Sequence, residues 1–213
     1  MSMRYVSTLK ENPAIYYFKD KESQNTHILS LLPTDPPTRE LAIGEATHIP
    51  PTPDTFRENP RFLDIMNEVI KQNAAKDPRV LSEAQTMASQ GGLNFKSGGM
   101  STPGRTTKST KKKGQEDVSG GASAQGGTGG NGSGGFIHVT DERCPPAFGR
   151  IAWPENIFGS LQVSGDGQID GDGGYQPSGA YRVVTNDGIL GLTPFLREKL
   201  TERLRQEEEK LRK

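Results

Sequence analysis

The sequence predicts an α+β protein: two small pieces, each of antiparallel strands plus helices, joined by a long disordered Gly/Ser-rich linker and ending in a C-terminal amphipathic helix. Three observations predict it. Residues 90–135 carry glycine, serine, threonine and glutamine where large apolar residues would otherwise stand. Such a stretch buries too little to offset the roughly 1–2 kcal/mol of backbone entropy lost per ordered residue. On either side, short β-branched and aromatic runs alternate with proline and glycine, the signature of short strands. Leucines then recur at helical spacing over residues 193–213. The expected division is 1–88 (a meander plus two helices), 89–135 (the linker) and 136–213 (a β-rich piece ending in a long helix).

In the first piece, residues 14–18 and 27–32 read as strands separated by the polar stretch 19–26, with 41–43 as a short third strand. Pro33, Pro36 and Pro37, and later Pro50, Pro51 and Pro53, forbid regular ladder bonding around the third strand. A helix follows. Thr55 and Glu58 have capping-box spacing, Asn59-Pro60 offers a second start, and Phe62, Ile65, Met66, Val69 and Ile70 form one apolar stripe. Asp77-Pro78 marks the next N-terminus, with Val80, Leu81, Ala84, Met87 and Ala88 behind it.

The second piece opens with a strand over 136–139, crosses a loop broken by Pro145, Pro146 and Pro154, and returns as a strand over 158–163. A third strand covers 181–184. Asn186, Asp187 and Gly188 supply turn residues that lead into 189–192, so a small hairpin is expected. Thr193-Pro194 opens the last helix, on which Phe195, Leu196, Leu200, Leu204 and Leu211 form the stripe. Its last two turns hold a single large apolar residue, Leu211, and are expected to project from the domain.

Charge narrows the function classes. Twenty-six basic residues balance 26 acidic ones, which leaves no global field to draw nucleic acid or an anionic membrane. The hydrophobic fraction is 31% and the mean hydropathy -0.68, low for a globular chain, so packing on a partner is an expectation. The single cysteine, Cys144, excludes a disulfide framework and a multi-cysteine zinc site. That fits a reducing compartment, cytoplasmic or nuclear. The start of the chain, basic at Arg4 and without an acidic residue before Glu11, leaves mitochondrial import as the alternative. Apolar runs are too short to span a bilayer.

Motifs with chemistry are incomplete. Gly99 to Thr106 has P-loop glycine spacing with Arg105 where lysine belongs, but lacks the apolar strand that would deliver it. Asp166, Asp170 and Asp172 alternate as in a calcium loop, yet Gln168 takes the third position and Pro177 the twelfth, so a soluble hairpin loop is expected. Cys144 and His138 are about 20 Å apart along extended chain, and His27, His48 and His138 lack metal-ligand spacing. No catalytic residue, cofactor or metal is assigned.

The expected function is therefore non-enzymatic protein–protein interaction or complex assembly. Its candidate contacts are Phe62, Met66, Trp153, Phe158, Phe195, Leu200 and Leu204, because large aromatic and aliphatic anchors dominate interfaces. Arg105, Lys108, Lys111, Lys112 and Lys113 form the basic cluster, a nuclear-import signal, a nucleic-acid contact or a solubilising run. It carries the alternative of a nucleic-acid-associated protein. An enzyme of unrecognised type is the further alternative.

Overall fold

The computed structural model describes residues 7–20, 25–97, 134–147 and 150–212, with side chains of the second helix described as far as Ala88. Residues 98–133, and with them most of the expected linker, the P-loop-like run and the basic cluster from Arg105 to Lys113, lie outside the described residues. The described chain is α+β. Among these residues it has antiparallel sheets and three α-helices.

A five-stranded antiparallel sheet comes first, in the order β1 (Ser7–Thr8), β2 (Tyr16–Lys19), β3 (His27–Ser30), β4 (Gly44–Ala46), β5 (Phe56–Glu58). Of the expected strand at 41–43, Leu41 ends a 3-10 turn, Arg39–Leu41, Ile43 bonds to Leu29 and Asn59, and the strand itself is β4. Leu41, Ala42 and Ile43 are all buried, so their apolar density marks burial on every side and not a period of two. Gly44 is required where β4 meets β5, since a Cβ there would lie 2.5 Å from the Phe56 ring.

Helix α1 (Pro60–Asn73) starts at the second of the two expected caps. Asn59 Oδ1 accepts from Arg61 N–H, and its Nδ2 donates to the Glu40 and Ala42 carbonyls. Thr55 lies in the turn before β5 and takes the Thr52 N–H, so the Thr55/Glu58 capping box does not form. Helix α2 (Pro78–Ser97) begins where Asp77 Oδ1 accepts from Arg79 N–H. It continues beyond Ala88, where the apolar periodicity stops.

β6 (Gly135–Thr140), β7 (Ile157–Val163) and β8 (Gln176–Pro177) form a second sheet, and β9 (Val184–Thr185) with β10 (Gly188–Ile189) forms the expected hairpin. The strand foreseen at 181–184 keeps only its end, because the Arg182 N–H donates to the Glu155 carbonyl and the Arg182 and Val183 carbonyls accept from the Arg143 side chain. Thr193 caps α3 (Pro194–Leu211) by accepting from Leu196 N–H.

The two flanks contribute to one apolar core. Phe62, Met66 and Ile70 of α1 belong to the same buried cluster as Ile137, Phe158, Leu161, Leu196, Leu200 and Leu204, and α1 packs against α3. Polar contacts join them too. Thr193 Oγ1 donates to Asp77 Oδ2 at 2.5 Å, so one buried carboxylate serves the start of α2 and the residue that caps α3. Asn12 Nδ2 donates to the Leu190 carbonyl at 2.8 Å, and the Val183 N–H donates to Glu58 Oε1 at 2.8 Å.

The end of α3 corrects the expected projection. Glu208 is buried, and its two carboxylate oxygens accept from the Thr34 and Thr38 hydroxyls at 3.0 Å each. A glutamate, which reads as solvent-facing, therefore holds the last turns against the loop before β4. No helix among the described residues is long and apolar enough to cross a membrane.

Candidate functional site

The loop between β6 and β7 is organised by Arg143. Its side chain is 3% exposed and lies 3.6 Å from the fully buried Asp141 carboxylate. The guanidinium donates to Asn156 Oδ1 at 2.8 Å, the Val183 carbonyl at 2.7 Å, the Arg182 carbonyl at 2.6 Å and the Glu155 carbonyl at 2.9 Å. It also lies over the Tyr181 ring, 5.4 Å from the centroid. Asp141 is equally engaged: Oδ1 accepts from the Arg143 and Gly191 N–H groups and Oδ2 from the Tyr181 hydroxyl.

Burial pushes the Asp141 carboxyl above the ordinary aspartate range, opposed by the Arg143 guanidinium, the two backbone donors and Tyr181. Burial, followed by the neighbouring Asp141 charge, raises the Tyr181 phenol well above its usual range. The cluster satisfies its own polar atoms internally, so it acts as a scaffold and presents no free acid or base.

That scaffold carries an exposed tryptophan. Trp153 is 71% exposed, while Ala152 is 8% exposed and Asn156 is fully buried. Pro154–Asn156 forms a 3-10 turn in which the Asn156 N–H donates to the Trp153 carbonyl at 2.8 Å. Arg143 grips both Glu155 and Asn156, so the indole projects from fixed backbone. Ile151, 37% exposed, stands two residues before it.

The other expected contact residues are packed inside the chain. Phe62, Met66, Phe158, Leu200 and Leu204 are all within the common core, and Phe195 is partly buried against it. A partner reaches them only if the core opens. Apolar stripes on α1 and α3 cannot by themselves distinguish a face covered by a partner from one covered by the other half of the same chain.

The remaining motifs resolve into local structure. Between Val163 and Tyr181, Ser164 Oγ donates to Asp166 Oδ1 and the Ser164 hydroxyl accepts from the Gln168 N–H. Gly167 sits at φ +81 against α2, where a Cβ would be 2.9 Å from the Ala88 Cβ and 3.0 Å from the Ala84 carbonyl oxygen. Among the described residues no group of three histidines, cysteines or carboxylates is placed to hold a metal ion. Cys144 is half-buried beside Arg143.

His138 and Ser160 are cross-strand neighbours on β6 and β7, with Nδ1 and Oγ 2.8 Å apart. Burial lowers the His138 pKa. The pair has the spacing of a base and a hydroxyl, but no described hydrogen bond joins the ring to a carboxylate, and neither described groove includes it. His27 packs edge-on against Tyr17, ring centroids 6.0 Å apart, with its Nδ1 buried and without a partner among the described residues.

Grooves flank the core among the described residues. One, of about 590 Å³, runs between β5 and β9 and is lined by Phe56, Arg57, Glu58, Glu155, Arg182 and Val184, among others. A second, of about 370 Å³, lies between α3 and the first sheet, beside Tyr16, Leu31, Arg197 and Arg205. Sequence reading assigned neither, because each gathers residues far apart along the chain. No family model, no curated protein and no solved structure matches this chain.

Proposed function

We propose that this protein is a non-enzymatic interaction or complex-assembly subunit, and that Trp153 is its principal anchor. The observation that carries the reading is a 71% exposed tryptophan on a backbone fixed by a buried arginine. Exposed aromatic surface costs free energy in water, and a rigid mount removes much of the ordering cost of docking. Tryptophan buries about 150–250 Å². Covering the exposed share at about 25 cal/mol per Å² gives roughly 3 kcal/mol of hydrophobic driving force, from which the ordering and desolvation costs of association are subtracted.

The test uses the full chain as bait in its native cells, alongside Trp153→Ala. The variant is expected to unfold at nearly the same temperature and to lose chains that co-purify with the wild type. The same set of partners retained at unchanged yield by the well-folded variant refutes the reading. Trp153 is the only tryptophan of this chain, so the emission difference between wild type and Trp153→Ala, each with the same captured partner added back, reports on its burial.

A further inference from the structure

We propose that the free edge of β6 is a self-association site, at which a second copy of this chain adds its own β6 antiparallel across a two-fold axis at Phe136. This inference is independent of Trp153 and rests on backbone groups that the fold leaves unpaired. β6 ends the order of the second sheet. On β7, the Gln162 N–H donates to the Gly173 carbonyl at 2.7 Å and the Phe158 carbonyl accepts from the Ser178 N–H at 2.8 Å, so the even-numbered residues bond toward β8. Gly159, Leu161 and Val163 therefore bond toward β6, where their partners are Val139, Ile137 and Gly135. The main-chain N–H and C=O groups of Phe136 and His138 point away from β7, and no hydrogen bond takes them up among the described residues.

Sheet edges are normally guarded by charge, proline, shortness or a covering segment. The other ends of the two larger sheets have such guards: β1 is two residues long, β8 carries Pro177, and Glu58 on β5 accepts the Val183 N–H. β6 runs for six residues, Gly-Phe-Ile-His-Val-Thr, without a lysine, arginine, carboxylate or proline. One face of it is closed, since Ile137 and Val139 belong to the core cluster that also holds Val80 and Ala84 of α2. The other face presents Phe136, which is 43% exposed.

A second copy meets each requirement of this edge, because an isologous contact pairs the same strand with itself, antiparallel by symmetry. With the axis at Phe136, the two Phe136 residues exchange both main-chain hydrogen bonds and their exposed rings cover each other. His138 then lies opposite Gly134 of the second copy, which has no side chain to obstruct it. An axis at His138 would instead set Phe136 opposite Thr140, whose hydroxyl already accepts from Arg79 Nη2 at 3.2 Å. Charge opposes nothing: β6 brings no lysine, arginine or carboxylate to the axis, and the whole chain balances 26 basic with 26 acidic residues. One strand pair is small beside the about 1,200–2,000 Å² of stable interfaces, so the dimer forms at high chain concentration and dissociates on dilution.

Sedimentation of the full chain from micromolar to millimolar concentration measures the association, and nuclear Overhauser effects between labelled and unlabelled copies locate it. The expected result is a monomer–dimer equilibrium with intermolecular contacts at Phe136 and His138. Phe136→Lys, a change at an exposed side chain, should weaken dimerisation about tenfold or more, and Trp153→Ala should leave it unchanged. In a Cys144→Ser background, Phe136→Cys should oxidise to a disulfide-linked dimer, because facing residues of a hydrogen-bonded pair lie about 5.5 Å apart. Gln162→Cys, one strand further from the axis in each copy, puts its two Cα atoms about 14 Å apart and should not cross-link. A monomer at millimolar chain, a dimer whose contacts lie elsewhere, undiminished dimerisation of Phe136→Lys, or equal cross-linking of the two cysteine variants overturns the proposal. The wild-type measurements decide the matter even if a variant fails to fold.

Discussion

Replacing Arg143 with methionine tests whether the β6–β7 loop is held together by one buried guanidinium. Methionine keeps an unbranched apolar stem that ends near the Nε position, while removing the guanidinium, its charge and every donor. The change strips hydrogen bonds from Asn156 Oδ1 and from the carbonyls of Glu155, Arg182 and Val183, all at 2.6–2.9 Å, and leaves Asp141 buried without its cation. Breaking a buried pair from one side costs about 3–5 kcal/mol, against a total stability on the order of 5–15 kcal/mol. At about 2–4 °C per kcal/mol for a chain of this size, the midpoint should fall by roughly 10 °C.

Urea denaturation followed by far-ultraviolet circular dichroism measures the loss. Adding Asp141→Asn to Arg143→Met should recover about 1 kcal/mol or more, since it removes the stranded charge while an amide oxygen can still accept from the Arg143-position and Gly191 N–H groups. The pH dependence has a definite sign. Burial raises the Asp141 pKa and Arg143 is the largest influence lowering it, so without Arg143 the folded-state pKa climbs further. A carboxyl raised in the fold contributes stability that is present in acid and lost as pH rises through the folded pKa. The deficit of Arg143→Met should therefore narrow on acidification. A loss below about 1 kcal/mol, or a second substitution that destabilises further, refutes the idea that this guanidinium organises the loop.

Two other outcomes follow from the same logic. Glu208→Ala removes the acceptor of the Thr34 and Thr38 hydroxyls; it should cost about 1.5–3 kcal/mol and speed amide exchange in the last turns of α3, read by hydrogen–deuterium exchange. His138 has its pKa lowered from 6.5 by burial, so its contribution is present above that value and is lost as pH falls through the folded pKa. Wild-type stability should decline on acidification through this window, and His138→Gln should flatten the decline in a pH series of urea midpoints.

Much of the fold was legible because local chemistry and tertiary structure agree. Asp77-Pro78 and Thr193-Pro194 read as helix starts and are helix starts, since a side-chain acceptor followed by proline suits the free N–H groups of a first turn in any surroundings. Residues 41–43 misled because full burial erases the alternation that reveals a strand. Arg143 was invisible for a related reason: a charged residue in a proline-rich loop reads as solvated, and the carbonyls it binds come from Glu155, Arg182 and Val183. Its one local sign was Asp141 two residues earlier, a spacing too common to single out. The exposed position of Trp153 was beyond sequence as well, because a tryptophan beside proline is as compatible with a core as with an interface.

The arrangement of the Arg143 cluster explains why exposure at Trp153 is informative. In a loosely held loop, an exposed indole can fold back onto neighbouring apolar surface, and its exposure has no functional meaning. Here the residues after it are committed: Asn156 is buried and bonded to Arg143, and the Glu155 carbonyl accepts both from Arg143 and from the Arg182 N–H. Backbone so constrained cannot carry the ring to the core without breaking these hydrogen bonds to Arg143, each worth about 0.5–1.5 kcal/mol net and more where a charge is involved. Covering the indole with an external surface breaks none of them. The residues that stabilise the loop thus fix the backbone that carries the exposed indole.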